Sequence, residues 1–595
     1  MPFPSCSRHY SGLRAALFSA RRAERDATPG CPAARLTLHT ETLALLASVA
    51  FTLLCNAAFW RALSTLPSSR AGGWWLQACA ALLLIGLQWL LLLLVVNRWT
   101  VKPLLMLLAA TTAAAVYFMQ AYGVYLSPTM LRNLVETDIR EAGELLQTGM
   151  LPYALCAALA IWLLSRVGIR KTRWPRAALI RAACLLAAAA LTAAGLWPAA
   201  AELLPAFRES KELRYLVTPL NYIASAWRLL ADETAHRAAP GPARPREPVA
   251  PDARRAAATG ASAAARKPLA VVLVIGETVR AANWGMNGYR RQTTPELAAR
   301  RVINFPHVSS CGTDTATSVP CMFSPNGRRH YDAAAIRRQE SLLHVLQRVG
   351  VAVRWRENQS GCKGVCDGLP FDDLSRGATG APGTSGASGV CGGKRCFDEI
   401  LLDGLPQLID AAAGDTLIVL HMLGNHGPAY FRRYPDRFRQ WTPTCDTTDL
   451  AACSNAALVN TYDNAVSYTD HVLAQAITLL SGAASHDTAL LYVSDHGESL
   501  GEKGLYLHGM PYAIAPAEQT QVPMILWLSP GAARSQGLSA DCLARRAALP
   551  ASHDDLFHTL LKLFEVQTSV YDPQRDLLAG CRETGTEHAP AEPGI

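Results

Sequence analysis

Three apolar runs in this chain end in residue types that metals and proton transfers use. "PLAVVLVIGET" closes on Glu277, "DTLIVLHMLGNHGP" leads to His426, and "DTALLYVSDHGES" delivers Asp495 and His496 side by side. Taken singly, each has a plain structural explanation. Asp before Gly caps a turn while Gly supplies the positive φ, and a Glu after a strand caps a helix. Three such endings in one stretch of sequence favour a shared site instead. Carboxylate and imidazole donors together suit zinc, at about 2.0–2.2 Å per bond, with a further position left for a nucleophile or substrate oxygen. "SSCGTDTATSVPCMFS" (309–324) offers that nucleophile, because two cysteines pin a Thr/Ser-rich loop that runs into a helix. A hydroxyl at a helix N-terminus beside a dication is acidified and faces a ready oxyanion site. Composition alone leaves Thr313, Thr315, Thr317 and Ser318 as equal candidates.

The elements that must position these residues follow from the texture of the chain after residue 268. Continuous Val/Ile/Leu runs, with "VPMILWLSP" (522–530) as a fourth, alternate with helical stretches at 333–349, 455–481 and 553–565. That alternation predicts a largely parallel sheet covered by helices. Ligands in open α/β sheets bind outside the carboxyl ends of the strands, which is where the candidate ligands fall. "RGATGAPGTSGASG" (376–389) reads as a flexible surface insertion, and no internal repeat is present.

Before residue 200 the chain is of another kind. Half of all residues are hydrophobic and only 17% are charged, and the apolar ones gather into five runs near 42–64, 74–96, 103–122, 150–166 and 177–197. Each can cross a hydrocarbon layer of roughly 30 Å at about 1.5 Å per residue. Long charge-free runs exclude a soluble bundle. Basic residues alternate from side to side. Arg8, Arg14, Arg21, Arg22, Arg25 and Arg35 precede the first run, Arg98 and Lys102 follow the second, and Arg166, Arg170, Lys171, Arg173 and Arg176 follow the fourth. Between the third and fourth lie Glu136, Asp138, Glu141 and Glu144. The positive-inside rule then puts the N-terminus in the cytoplasm and everything after residue 198 outside. The expected domains are an Arg-rich cytoplasmic extension (1–40), five spans (41–198), an amphipathic helix with an Ala/Pro/Arg-rich linker (199–267), a catalytic domain (268–585) and a disordered tail (586–595). The formal charge of +9 suits work against an anionic surface.

Cysteine usage agrees with that topology. Of 16 cysteines, Cys6, Cys31, Cys55, Cys79, Cys156 and Cys184 lie in the tail or spans. The other ten all follow residue 310, and an even number in close couples reads as five disulfides in an oxidising compartment. A structural zinc ribbon needs CxxC knuckles, and "CKGVC" and "CGGKRC" have the wrong spacing.

The motifs "GETVRAANWGMNGYRRQTTP", "SCGTDTATSVPCMFS", "GNHGPAYFRRYP", "TPTCDT", "NTYDN", "YVSDHGESLGEKGLYLHGMPY" and "SHDDLFHTLL" together resemble the phosphoethanolamine–lipid A transferases. That family includes the mobile colistin-resistance enzymes. The resemblance runs from about residue 40 and implies an N-terminal five-helix transmembrane domain followed by an α/β domain of the alkaline phosphatase/sulfatase fold. It implies Thr315 as nucleophile, and Glu277, Asp495 and His496 joining Thr315 around a catalytic zinc. His426 and His508 would serve a second zinc or the substrate phosphate. Lys363 would belong to an outer pocket, and Asn133, Glu136, Thr137 and Glu141 to a donor-headgroup loop, which departs from the pattern at Gln120 and Ser127. The implied disulfides are Cys311–Cys321, Cys362–Cys366, Cys391–Cys396, Cys445–Cys453 and Cys542–Cys581. Implied partners are phosphatidylethanolamine as donor and lipid A or lipopolysaccharide as acceptor, for a monomer in a bacterial inner membrane with its catalytic domain in the periplasm and no nucleic-acid partner. The rivals are a sulfatase, which needs a Cys/Ser-x-Pro-x-Arg motif that "SVPCMFS" lacks, a transferase acting on another envelope glycan, and an inactive lipid-binding protein.

Overall fold

The structure is a computed structural model and describes residues 36–65, 74–136, 143–145, 147–209, 213–237, 246–255, 266–375, 391 and 396–582. The Arg-rich extension up to residue 35, the insertion at 376–389 and the 586–595 tail lie outside the described residues. The chain divides into two compact units, one of Met1–Leu54, Trp74–Thr111 and Leu155–Ala200, the other of Cys55–Gly73, Thr112–Ala154 and Ala201–Ile595.

The apolar runs become helices α1 (Thr40–Leu54), α2 (Ala57–Ser64), α3 (Trp74–Val95), α4 (Val101–Ala121), α5 (Pro128–Glu136), α6 (Leu151–Arg166) and α7 (Trp174–Leu196), with residues from Thr112 onward in α4 belonging to the second unit. Among the described residues four helices are long and apolar enough to cross a membrane, and a fifth is gained if the bent pair α1 and α2 counts as one span. The single helix expected over 42–64 is broken: α1 and α2 meet at 56°. Leu155, Leu159, Trp162 and Leu186 stand exposed on α6 and α7, an arrangement stable only against lipid. Within the first unit Gly86 and Gly195 let α3 and α7 approach closely, since a Cβ at either would fall 2.6 Å and 2.3 Å from an opposing backbone nitrogen.

The second unit is built on an eight-stranded sheet. Its strands are β1 (Leu269–Gly276), β2 (Ile303–Ser309), β3 (Ala352–Glu357), β4 (Phe371–Asp373), β5 (Thr416–His421), β6 (Asp487–Ser494), β7 (Gln521–Leu528) and β8 (Ala551–Ser552), in the order β8-β2-β7-β6-β1-β5-β3-β4. Every neighbouring pair is parallel except those of β7, which runs antiparallel to both β6 and β2. β1 is buried at all eight positions, which explains why its sequence is a continuous apolar run. Side chains alternate across a strand. Leu269, Val271, Leu273 and Ile275 therefore enter one core with α10 (Asp554–Leu563), and Ala270, Val272 and Val274 enter the other with the helix Asn455–Ser481. In chain order the helices of this unit include α8 (Thr315–Met322), α9 (Asn455–Ser481) and α10.

Candidate active site

Register places the first ligands. β1 lies between two parallel partners, and its pairing with β6 runs from Leu269↔Asp487 to Gly276↔Ser494. The residues that follow, Glu277 and Asp495, are thereby set side by side, and the Asp495 amide closes the ladder by donating to Gly276 O (2.9 Å). On the other side of β1, the Asn425 amide donates to Glu277 O (3.0 Å). Gly424 makes that approach possible. Its φ is +52°, and a Cβ there would lie 2.7 Å from Glu277 O.

The Thr/Ser-rich loop arrives from β2. Cys311 and Cys321 are joined, which ties the loop to α8. Asp314 caps that helix by accepting from the Thr317 amide (2.9 Å), so Thr315 is its first residue. Thr315 Oγ1 donates to Glu277 Oε2 at 3.0 Å and lies 3.4 Å from His496 Nε2. Thr313 is occupied elsewhere, its hydroxyl donating to Met510 O (2.6 Å). Ser318 Oγ accepts from the Gly312 amide (2.9 Å) and donates to Asp495 O (2.5 Å). Of the four hydroxyls open on composition, only that of Thr315 contacts both the carboxylate and the imidazole.

The donor set asks for a cation. Glu277, Asp495 and His496 are each fully buried. His496 Nδ1 donates to Gly497 O (2.9 Å), which leaves the Nε2 lone pair 3.4 Å from both Glu277 Oε1 and Asp495 Oδ2. Those two carboxylate oxygens have no hydrogen-bond partner among the described residues. Asp495 Oδ1, by contrast, accepts from the His496 amide (2.7 Å) and the Thr278 amide (3.3 Å), so the carboxylate is aimed. One atom from each of the three lies within 4.8 Å of the others, a set that fits a dication such as zinc. The protonation equilibria reflect the same demand. Burial, then the Asp495 charge, raises the Glu277 carboxyl above the usual range. Burial works against a charged imidazole at His496, yet Asp495 and Glu277 lift it to about 10, so a proton takes the Nε2 lone pair wherever no metal cation does.

A second cluster abuts the first. Glu277, His426 and His508 also present atoms within 4.8 Å of one another. The His508 ring is 4.4 Å from that of His496 and 5.5 Å from that of His426. Glu498, fully buried, holds His508 Nδ1 at 3.0 Å. Burial disfavours charge on His508, but Glu498 and Glu277 keep its affinity for a proton above the ordinary histidine value. Arg433 Nε donates to His426 O and its Nη2 to Glu144 Oε2, both at 2.6 Å, which ties His426 to the segment after α5. His426, His508, Tyr122, Met130, Leu131 and Asn133 line part of an apolar cavity of about 130 Å³.

Other expected residues fare differently. The Asn133 amide nitrogen lies 3.2 Å from Oδ1 of Asp314, the residue that caps α8. Glu136 ends α5. Thr137 and Glu141 lie outside the described residues. The Lys363 ammonium is bound by Ser360 Oγ (2.8 Å) and Ser360 O (3.1 Å), and Lys363 is not part of either cluster. The structure pairs Cys362 with Cys366, Cys391 with Cys396, Cys445 with Cys453 and Cys542 with Cys581.

Several contributors were not singled out from sequence. His553, fully buried, accepts from the Cys311 amide through Nδ1 (3.0 Å) and donates through Nε2 to Ser494 O (2.9 Å), joining the Thr315 loop to β6. Its signal was its place in "SHDDLFHTLL". Glu498, three residues after Asp495, and Asp314, immediately before Thr315, were equally readable as polar residues at functional positions.

The chain is similar to known proteins. Residues 270–566 match the sulfatase family model, and residues 84–234 match the model for phosphoethanolamine transferase EptA/EptB. Phosphoethanolamine transferase EptA of Escherichia coli (strain K12) is 38% identical over 485 residues, covering 78% of this chain and 83% of the relative. Phosphatidylethanolamine transferase Mcr-1 of Escherichia coli is 38% identical over 462 residues, covering 76% and 81%. The structure of the integral membrane lipooligosaccharide phosphoethanolamine transferase A from Neisseria meningitidis superposes with a TM-score of 0.84 at 34% identity, over 92% of this chain and 99% of that one. With apolar helices of membrane-crossing length in front and a sulfatase-type sheet presenting Thr315 behind, the chain belongs to the phosphoethanolamine transferase EptA family of integral membrane enzymes.

Proposed function

We propose that this enzyme moves phosphoethanolamine from phosphatidylethanolamine to a phosphate of lipid A, with Thr315 carrying the group between the two lipids. The observation that supports this best is Thr315 Oγ1 at 3.0 Å from Glu277 Oε2 and 3.4 Å from His496 Nε2, on the first turn of α8. Glu277, Asp495, His496 and Thr315 would hold a zinc ion, with His426 and His508 serving a second ion or the substrate phosphate. When bound, zinc lowers the pKa of a coordinated hydroxyl and offsets charge that builds on phosphate oxygens.

The chain's own groups account for the rest. Glu277 accepts the Thr315 hydroxyl proton along the hydrogen bond already present. Thr315 Oγ1 then attacks the donor phosphorus, and the bond from phosphorus to the diacylglycerol oxygen breaks. His508, whose affinity for a proton Glu498 raises, supplies the proton that makes diacylglycerol a good leaving group. In the second half, a lipid A phosphate gives its proton to His508 and attacks the same phosphorus, the bond to Thr315 breaks, and the threonine regains its proton from Glu277. Two displacements through one threonine predict ping-pong kinetics. The apolar cavity beside His426 and His508 suits the donor's glycerol and acyl region, with Asn133 at its polar end. Membrane anchoring keeps both lipids within reach of one site, and the catalytic domain, residues 268–585, would stand on the periplasmic face. The transferred ammonium group offsets negative charge on lipid A, which weakens binding of cationic peptides such as polymyxin.

Mass spectrometry of lipid A from cells with and without the protein tests this directly. A phosphoethanolamine adduct is expected with the wild type and is expected to vanish, a loss of at least roughly 10³ in rate, with Thr315→Ala. An adduct that persists in Thr315→Ala would remove the covalent route.

A further inference from the structure

Beside the Thr315 loop lies a polar cleft of about 430 Å³ that the transfer chemistry does not use. Arg328, Arg329, Arg546 and Arg575 line it together with Asp554 and Asp555. The two carboxylates are already engaged. Asp554 accepts from the Arg328 and Arg329 amides (2.6 and 3.3 Å), and Asp555 accepts from the Ser552 amide (2.7 Å) and from Arg575 Nη1 (3.2 Å). Arg575 also lies 3.7 Å from Asp554, and only 11% of its side chain is exposed. Even so, its Nη2 is buried with no acceptor among the described residues. The Arg328 guanidinium is fixed, 3.9 Å above the Tyr512 ring and donating to Cys311 O (3.2 Å). Arg329, exposed, and Arg546, half-buried, make no ion pair among the described residues. Four guanidinium groups facing two committed carboxylates leave a net positive cleft with an unanswered buried donor.

Rigid guanidinium forks match the oxygens of a tetrahedral phosphate. The cleft is also close to the chemistry. Arg328 grips Cys311, and four residues of chain to Thr315 span at most about 14 Å. We infer that this cleft binds a second phosphate of the acceptor glycolipid while its first phosphate takes the group from Thr315. The inference rests on the acceptor assignment proposed above. Arg329 and Arg546 are the contacts without an ion-pair partner among the described residues, and Arg328 and Arg575 form the fixed floor.

The test uses the full-length protein in detergent micelles with phosphatidylethanolamine and two acceptors, bisphosphorylated and monophosphorylated lipid A. The double variant Arg329→Gln/Arg546→Gln should raise KM for the bisphosphorylated acceptor roughly tenfold, with kcat within about twofold and the KM for the monophosphorylated acceptor unchanged. An equal rise for both acceptors, or for neither, overturns the inference. A second readout needs no transfer at all. Phenylglyoxal modifies accessible guanidinium groups, and inorganic phosphate should slow modification of Arg329 and Arg546 in the wild type roughly fivefold. Unchanged labelling overturns the cleft as a phosphate site. Protection in a wild type that modifies neither lipid A supports the phosphate site and overturns the acceptor assignment instead.

Discussion

His496 meets two carboxylates with a lone pair, and that collision of like-natured atoms sets the behaviour of the centre at the level of single residues. Glu277 Oε1 and Asp495 Oδ2 are both buried without a hydrogen-bond donor, a costly arrangement unless a cation sits between them. Removing one of the two charges should therefore remove the cation. Glu277→Gln is expected to lower bound zinc, measured by elemental analysis of the purified protein, by at least tenfold in affinity. Dialysis of the wild type against a chelator should abolish transfer, and added zinc should restore it. Retention of full activity after exhaustive chelation would count against the metal. The sequence already displayed these ligands, since Glu277 and the Asp495–His496 pair each end an apolar run. Composition could not display the choice of Thr315 over Thr313 and Ser318, which came only from the family resemblance. That choice depends on Met510 O and Asp495 O, acceptors 197 and 177 residues away.

At the level of elements, the site is a property of strand ends held in register. Gly424 allows the turn after β5 to pass beside Glu277. Gly424→Ala combines positive φ with a Cβ 2.7 Å from Glu277 O, so chemical denaturation should show a loss of more than about 1 kcal/mol, together with reduced zinc content. His553 clamps β6 to the Thr315 loop in its neutral form. Burial pulls its imidazole from 6.5 down to about 4. Between those values the unfolded chain binds a proton that the folded protein refuses, so stability contributed by neutral His553 is present above pH 6.5 and is lost as pH falls toward 4. The loss amounts to about 3 kcal/mol. Denaturation curves across that window should fall more steeply for the wild type than for His553→Gln. β1, β5 and β6 were readable as continuous apolar runs. β2 was not, because "INFPHVS" carries Pro306 and His307 and is only partly buried. β3, "AVRWRE", hides its strand character behind two arginines and a glutamate. The antiparallel setting of β7 left no mark on its apolar sequence, because burial on both faces looks the same in either direction.

Across the whole molecule, chain length and covalent links matter more than local pattern. The break between α1 and α2 carries no proline or glycine. It coincides with buried Asn56, whose side chain bonds both ways to the Thr218 backbone, at 2.9 and 2.7 Å. A partner 162 residues away is invisible to any local reading of the first apolar run. The disulfides divide by the loops they close. Cys542 and Cys581 are 39 residues apart, whereas Cys362 and Cys366 are 4 apart. Chain-entropy reasoning assigns about 4 kcal/mol to the longer loop and about 2 kcal/mol to the shorter. Cys542→Ser/Cys581→Ser should accordingly lower Tm more than Cys362→Ser/Cys366→Ser, as read by thermal melting of the detergent-solubilised protein.

The pairing of Gly276 with Ser494 has a consequence for the life of the chain. Glu277 emerges from the ribosome more than two hundred residues before Asp495 and His496, so no fragment that ends before β6 can assemble the centre. A nascent polypeptide is thus chemically silent while its later strands are still to come. Activity begins only when the sheet has closed around its middle strand, and completion of folding is itself the safety catch.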